Sequence, residues 1–307
     1  MIWNFSIYLI LLTHTVRDIR SELCNDTNNE NQGNNKEECN LKAEMKNVYT
    51  DSRLQVNDVV ESNGFIAMLY NDNYPSNPCA AAMISRRWVL DNCVDDAQVK
   101  YQYIKVGEMT EGADVFVYSI RKSVTHESYK EIPFEIEGYN AQNTFATVNA
   151  IRLHKSSKLM YVDYDHFIEP IHMFDHQLSV ELSYTTFMTR RNGKLQMRNE
   201  YLPIVNSSCC NHHFGPYFKK DHKTCLDNSQ LCVPISNSIT TEECCNSQAF
   251  MVYNNSLLGI MAWSTICSEE TGLDPWVFSH VGYYKKWVVN VICKKGRPAC
   301  INYFNEW

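Results

Sequence analysis

Short apolar runs separated by polar turns begin near Gly64 and continue almost to the end of this 307-residue chain. Runs of this kind, rich in β-branched and aromatic residues and bounded by turn-forming residues, are typical of β-strands. The predicted strands are 65–70, 114–120, 145–153, 202–205 and 257–263. Asn254 and Asn255 stand between two apolar runs, which predicts a hairpin turn there.

A different period appears near the C-terminus. Tyr283, Trp287, Val288, Val291 and Ile292 recur every three or four residues, which predicts an amphipathic helix over about 282–292. Many short strands followed by one helix indicate an all-β domain of roughly 240 residues, a barrel or a sandwich.

Two segments before this domain have other patterns. Residues 5–12 form an apolar run that is too short to cross a bilayer, and residues 1–15 are therefore predicted to be a signal peptide. Residues 16–52 are rich in Asn and Glu and poor in aromatic residues, which predicts a flexible leader.

Charge and cysteine content narrow the class of protein. The net charge of −7 argues against nucleic acid or an anionic membrane as a main partner. Thirteen cysteines behind a signal peptide predict disulfide bonds in an oxidising compartment. Glycosylation sequons begin at Asn25, Asn206 and Asn254. The expectation is a secreted extracellular glycoprotein.

Several ordered blocks between Val56 and Ile292 resemble the chymotrypsin/trypsin family of serine proteases (peptidase S1). The most informative is Cys79-Ala-Ala-Ala-Met-Ile-Ser-Arg-Arg-Trp-Val-Leu-Asp-Asn-Cys93, which is similar to the family's Cys-Gly-Gly-Ser-Leu-Ile…Trp-Val-Leu-Thr-Ala-Ala-His-Cys. Further similar blocks lie at 124–129, 147–153, 202–205, 257–263 and 275–281. The resemblance implies two six-stranded antiparallel β-barrels and a C-terminal helix over 53–292, with residues 293–307 as a tail.

The same resemblance places neutral residues where the family has its catalytic ones. Asn92 stands at the histidine position, and its amide cannot accept a proton near neutral pH. Thr147, or Asn149 if the alignment slips by two, stands at the aspartate position. Ser247 falls at the nucleophile position. The glycines around the oxyanion site are replaced by Cys245, Gln248 and Ala249.

Activation and substrate binding are altered as well. The family's Ile-Val-Gly-Gly start is absent after Arg53, and Asn246 replaces the aspartate that pairs with the new N-terminus. Trp276 and Ser264 replace glycines of the primary specificity pocket, so a blocked pocket is expected.

Three disulfides are implied by the resemblance: Cys79–Cys93, Cys210 (or Cys209)–Cys232 and Cys244 (or Cys245)–Cys267. Seven cysteines remain, and an odd number predicts a free thiol or a disulfide-linked oligomer. Cys209, Cys210, His212, His213 and Cys225 also imitate a metal site. Their spacing lacks a paired Cys-x-x-Cys and secreted cysteines oxidise, so neither a metal nor a cofactor is expected.

The predicted function follows from these losses. The chain is similar to insect serine protease homologues without their clip module, which implies a pseudoprotease that is a cofactor, decoy or regulator of extracellular proteolysis. Its partners would be extracellular proteins, namely active proteases or their substrates. Two alternatives stay open: an endopeptidase that uses Ser247 with a relocated histidine base such as His126 or His154, and a structural or storage protein of a secretory fluid.

Overall fold

The computed structural model describes residues 63–72, 78–93, 100–108, 112–133, 145–164, 168–174, 182–191, 194–205, 207–214, 226–233, 248–264 and 275–293. Several predictions fall outside these residues. They are the signal peptide, the leader, the tail beyond Cys293, the possible cut after Arg53, the sequons at Asn25 and Asn206, and the positions Ser247, Cys244 and Cys267.

The described residues form fifteen strands and two helices. The strands of the N-terminal half are β1 Ile66–Tyr70, β2 Cys79–Ser85, β3 Trp88–Asp91, β4 Tyr103–Val106, β5 Phe116–Thr125, β6 Lys130–Pro133, β7 Phe145–Val148 and β8 Arg152–Ser156. Those of the C-terminal half are β9 His172–Met173, β10 Leu182–Arg191, β11 Lys194–Pro203, β12 Gln230–Val233, β13 Gln248–Tyr253, β14 Ser256–Trp263 and β15 Trp276–His280. The helices are α1 Ser207–Phe214 and α2 Val281–Cys293.

Six strands of the N-terminal half close into a barrel in the order β1-β2-β3-β8-β5-β4, and β4 pairs with β1 to complete it. Side chains alternate between the two faces of each strand, so every second residue points inward. The apolar part of the interior includes Leu69, Met83, Val89 and Ile104.

The C-terminal half forms a curled sheet in the order β11-β10-β13-β14-β15-β12, with β9 added in parallel beside β14. Its concave core contains Phe187, Leu202, Met251 and Phe278. A second apolar cluster joins both halves to α2 through Leu90, Phe250, Ile260 and Val288. The predicted fold class is therefore confirmed: the protein is mostly β, with a closed six-stranded barrel, a curled sheet and one C-terminal helix.

Local predictions fared unequally. The hairpin at Asn254 and Asn255 is confirmed, and both residues have positive φ, at 47° and 57°, as a tight turn between twisted strands requires. The predicted strand 145–153 is wrong in one respect, because Asn149 has φ of 54° and divides it into β7 and β8. The residues Ser207–Phe214, for which the sequence analysis predicted neither a helix nor a strand, form α1. Among the described residues, neither helix has the length and apolar character needed to cross a bilayer.

Candidate functional site

Asn92, which the sequence resemblance assigns to the family's histidine position, connects the barrel to the C-terminal sheet through its side-chain hydrogen bonds. It follows the last residue of β3 and is only 5% exposed. Its side-chain nitrogen donates to the carbonyl of Ile260 at 2.9 Å and to the hydroxyl of Ser279 at 3.3 Å. The Ser279 hydroxyl in turn donates to the carbonyl of Ala150 at 3.3 Å. Asn92 therefore acts here as a hydrogen-bond donor to strands β14 and β15.

Thr147, which the sequence resemblance assigns to the family's aspartate position with Asn149 as the alternative, also binds β14. Its fully buried hydroxyl donates to the carbonyl of Ala262 at 3.1 Å. The backbone carbonyl of Thr147 accepts a hydrogen bond from the side chain of Gln230 at 3.2 Å. Asn92 and Thr147 thus meet carbonyls two residues apart on one strand, which shows that the fold brings these two positions together.

Gln248, the first residue of β13, follows Ser247 directly and crosses back to the barrel. Its side-chain oxygen accepts a hydrogen bond from the backbone N–H of Ala80 at 2.5 Å. Its side-chain nitrogen lies 3.8 Å from the sulfur of Cys93. A long amide therefore occupies the space beside the Cys79–Cys93 disulfide where the family has a glycine.

Trp276, the first residue of β15, is completely buried. Its ring lies 4.9 Å from the ring of Phe187 in an edge-to-face arrangement and belongs to the apolar core of the C-terminal sheet. Ser264 follows β14 and is half-buried. The structure thus places the indole of Trp276 inside the protein, in contact with residues of the core.

The histidines weighed as relocated bases lie in other surroundings. His126 follows β5 and packs against the rings of Trp287 and Tyr284 of α2, at 5.0 and 5.5 Å. Burial lowers the pKa of His126 below its ordinary value. His154 lies inside β8 and is almost fully buried. His213 packs against the ring of its neighbour Phe214.

A buried charged cluster inside the barrel was missed by the sequence analysis. Asp91, the residue before Asn92, is fully buried. One carboxylate oxygen accepts from Arg152 at 3.0 Å and from the backbone N–H of Cys93 at 3.0 Å. The other oxygen lies 2.8 Å from Nε2 of His154. The signal was present, since Asp91 directly follows an apolar run and Arg152 stands within another, and buried charges require partners.

The electrostatics of Asp91 follow from these contacts. Burial alone would raise the pKa of the Asp91 carboxyl, because desolvation disfavours the charged form. The positive charge of Arg152, together with His154 and the hydrogen bonds from both side chains, outweighs this effect and holds the pKa below its ordinary value. Asp91 is thus a carboxylate at neutral pH.

The disulfides of the described residues agree with two of the three pairs that the resemblance implies. Cys79 is bonded to Cys93, and Cys210 is bonded to Cys232. Cys293 is also disulfide-bonded. Cys79, Asp91 and Cys93 form the one group with metal-ligand spacing in the described part of the chain. Its two sulfurs are joined to each other, and a metal site needs free thiolates.

The family model for trypsin matches residues 55–288, and the chain therefore belongs to the trypsin family. Among solved structures it resembles neuropsin, a serine protease of mouse brain, with a TM-score of 0.55 and 16% identity over 75% of this chain and 95% of that one. A kallikrein-related peptidase 10 complex with Zn²⁺ gives a TM-score of 0.56 and 13% identity over 76% and 98% of the two chains. A search of curated proteins found no match.

Proposed function

We propose that this trypsin-family protein has lost proteolysis and acts in extracellular fluid by binding other proteins, as a cofactor, decoy or regulator of proteolysis. The observation that carries the proposal is the pair of hydrogen bonds from Asn92 and Thr147 to the carbonyls of Ile260 and Ala262. Both side chains at the family's base and carboxylate positions are neutral donors to the backbone.

Acyl transfer by a serine needs a base that accepts the hydroxyl proton and a carboxylate that stabilises the protonated base. The Asn92 amide has no basic nitrogen, and its NH₂ group already points to Ile260 and Ser279. Thr147 has no charge with which to stabilise an imidazolium. In serine proteases of different folds, the loss of such residues lowers turnover by roughly 10⁴- to 10⁶-fold.

The remaining parts of the cleft support the same proposal. Gln248 stands where a glycine would leave the backbone N–H groups free to converge on an oxyanion, and its side chain reaches Ala80. Trp276 stands at a glycine position of the specificity pocket and is wholly buried. These substitutions would reduce transition-state stabilisation and substrate entry together.

The binding role rests on what the chain retains. The closed barrel, the curled sheet, α2 and the disulfides make a rigid scaffold of the kind on which surface loops carry recognition. The trypsin-fold framework and its disulfides favour secretion, in line with the predicted signal peptide. The partners are extracellular proteins, either active proteases or the substrates of such proteases.

The catalytic half of the proposal is tested with a fluorophosphonate probe, which labels activated serines. The purified secreted chain is treated before and after limited trypsin cutting, and labelled peptides are mapped by mass spectrometry. We expect no label at Ser247 in either state, with Cys79–Cys93 and Cys210–Cys232 intact. Stoichiometric label at Ser247 would overturn the proposal and favour the endopeptidase alternative.

The binding half is tested with an active trypsin-family protease acting on a protein substrate. We expect the intact chain to change the rate at which the protein substrate is cut. A reduced and alkylated sample of the same chain, which lacks the disulfides, is the matched control and should have no effect. Equal rates with both samples, together with abundant accumulation in one secretory fluid, would favour the storage alternative.

A further inference from the structure

A line of hydrogen-bonding groups runs from the buried Asp91 to the protein surface on the barrel side of β3. His154 Nε2 lies 2.8 Å from the second carboxylate oxygen of Asp91. The other ring nitrogen of His154, Nδ1, lies 2.7 Å from the hydroxyl oxygen of Ser123. Asp91 and His154 are buried, whereas Ser123 on β5 is exposed. These three residues are different from Asn92 and Thr147, whose side chains bind the carbonyls of β14.

The register of two strands creates the contact. In the pairing of β5 with β8, Ser123 lies directly opposite His154, and Thr125 lies opposite Arg152. The register shifts between Ile120 and Lys122, two residues before Ser123. Bulges of this kind redirect the side chains that follow them, because a slip of one residue moves a side chain to the other face. The bulge therefore sets Ser123 on the same face as His154.

The distances indicate the proton positions. Asp91 Oδ2 and His154 Nε2 lie 2.8 Å apart as an ion-pair contact, and among the described residues neither atom has a partner with hydrogen-bond geometry. Because a carboxylate can only accept, the tautomer of His154 that suits this contact has its proton on Nε2. Its Nδ1 is then the acceptor, and the Ser123 hydroxyl donates to it. This is the order nucleophile, base and orienting carboxylate, with the two ring nitrogens exchanged relative to the family's own triad.

Neighbouring side chains hold the histidine in place. The ring of Tyr101 packs edge-to-face against His154, with the ring centres 6.3 Å apart. Arg152, which lies 5.3 Å from the centre of the same tyrosine ring, binds the first carboxylate oxygen of Asp91 and leaves the second for His154. These contacts hold the His154 ring in one orientation before any reagent arrives.

We propose that Ser123 is a nucleophile that forms covalent esters with small electrophilic acyl and phosphonyl compounds, such as aryl esters and fluorophosphonates. His154 is the general base, and Asp91 is a positioning residue that acts through His154. With a fluorophosphonate, a bond forms between the Ser123 oxygen and phosphorus while the phosphorus–fluorine bond breaks. Fluoride leaves, and the hydroxyl proton passes to Nδ1 of His154 and then to solvent.

The exposure of Ser123 defines the class of reagent. Ser123 is exposed although it shares a face with the buried His154, so a small compound in solvent can reach its hydroxyl. The product is a serine ester whose phosphonyl form is stable enough to map on a peptide. The site is thus a covalent acceptor, and it is independent of the protein-binding role proposed above.

The test uses the intact secreted chain and a fluorophosphonate probe, with the modification rate of each serine followed by peptide mapping. Ser119 is the internal control, because it is exposed on the same strand and lies opposite Tyr103. General-base assistance predicts that Ser123 reacts at least about 100-fold faster than Ser119. Equal rates at Ser123 and Ser119 would overturn the proposal.

Two variants separate the roles. Ser123→Ala changes an exposed side chain, so it should fold and lose the label at position 123 while Ser119 is unchanged. His154→Gln removes the base, and if its disulfide map is intact the rate at Ser123 should fall to that of Ser119. Persistence of fast labelling in folded His154→Gln would contradict the assignment of the base. If His154→Gln does not fold, the ratio of Ser123 to Ser119 in the unaltered chain decides.

The same experiment keeps this proposal distinct from the proposed function. Label at Ser123 without label at Ser247 supports both. Label at Ser247 alone overturns both: the cleft would be active and the Ser123 site unreactive. Label at both serines would overturn the loss of catalysis in the cleft and leave the Ser123 assignment standing.

Discussion

Asp91 and Asn92 are neighbours in the chain, yet they lie in opposite chemical environments. Asp91 points into the barrel, where it is charged and bound by Arg152 and His154. Asn92 points toward the C-terminal sheet, where it is neutral and donates to Ile260 and Ser279. In the family's usual arrangement the charged, titratable groups lie in the cleft between the two halves. Here the charge lies inside the barrel, and the corresponding cleft positions hold neutral groups.

This difference shows that the fold does not depend on the chemistry of its cleft. The barrel and the curled sheet are joined by apolar contacts such as those of Leu90 and Phe250, which need no charged partner. The cleft positions then need only satisfy the carbonyls of β14, and an amide or a hydroxyl does this without the desolvation cost of an ion. The barrel cluster, by contrast, depends on every one of its members.

The largest effect should come from breaking the barrel cluster. Asp91→Ala leaves the Arg152 guanidinium buried without its carboxylate, and an unpaired buried charge costs about 3–5 kcal/mol of the free energy of unfolding. Urea denaturation with an unchanged disulfide map measures the loss. Arg198→Ala is the control, because Arg198 is 41% exposed in its pair with Glu200. A surface pair of this kind is worth less than about 1 kcal/mol.

A loss in Asp91→Ala as small as that in Arg198→Ala would contradict the picture of a charge-dependent barrel. It would mean that Arg152 finds water or another acceptor when the carboxylate is removed. Asp91 and Asn92 would then differ in residue type and surroundings, but the charged contacts of Asp91 would not contribute more to stability than the neutral contacts of Asn92.

The pH dependence of the free energy of unfolding should reveal the contribution of Asp91, because Asp91 titrates and Asn92 does not. The pKa of Asp91 lies below its ordinary 3.8 in the folded protein, so the unfolded chain takes up the proton first as the pH falls. The contribution of Asp91 is therefore complete above about pH 3.8 and is lost as the pH falls toward the lower folded pKa. Denaturation midpoints of the unaltered chain and of Asp91→Asn should converge at acidic pH. Parallel curves would contradict the assignment.

The sequence predicted the fold class and local elements of this protein better than the contacts between residues that are distant in the chain. The fold class, α2 and the turn at Asn254 and Asn255 followed from periodicity and turn chemistry, which are local. The division of β7 from β8 at Asn149 was missed, although asparagine is one of the residue types that adopt positive φ most readily. The hydrogen bond from Tyr284 to the Asn149 side chain, which accompanies that conformation, joins residues 135 positions apart.

In the candidate site, too, the sequence predicted residue identities but not the contacts that these residues make. The identities of Asn92 and Thr147 could be aligned with a motif, and so their neutrality was foreseen. Their shared contact with β14, and the contact of Gln248 with Ala80, depend on how the two halves pack. The Ser123–His154–Asp91 line depends on a bulge in β5, and no spacing rule in the sequence places residues 91, 123 and 154 on one face.

A smaller effect is expected on the cleft face. Asn92→Ala removes a buried donor from the Ile260 carbonyl and should lower the free energy of unfolding by about 1–2 kcal/mol. Asn92→Asp has the same shape but puts an acceptor against that carbonyl, so it should lose more than Asn92→Ala. Both are measured by urea denaturation at pH 7. An Asn92→Asp variant as stable as the unaltered chain would mean that the side-chain nitrogen does not face Ile260.

The smallest effect should come from Thr147→Val, which keeps the shape of the side chain and removes its hydroxyl. The Ala262 carbonyl then loses the hydrogen bond at 3.1 Å, at a cost of about 1 kcal/mol. Thr125→Val is the matched control, because Thr125 is exposed on β5 and should change stability by less than about 0.5 kcal/mol. Because the two substitutions are chemically identical, their difference in denaturation midpoint isolates the buried bond to β14. Equal midpoints would show that the hydrogen bond from the Thr147 hydroxyl to Ala262 does not contribute to stability. Of the two side chains, only Asn92 would then stabilise the contact between the barrel and β14.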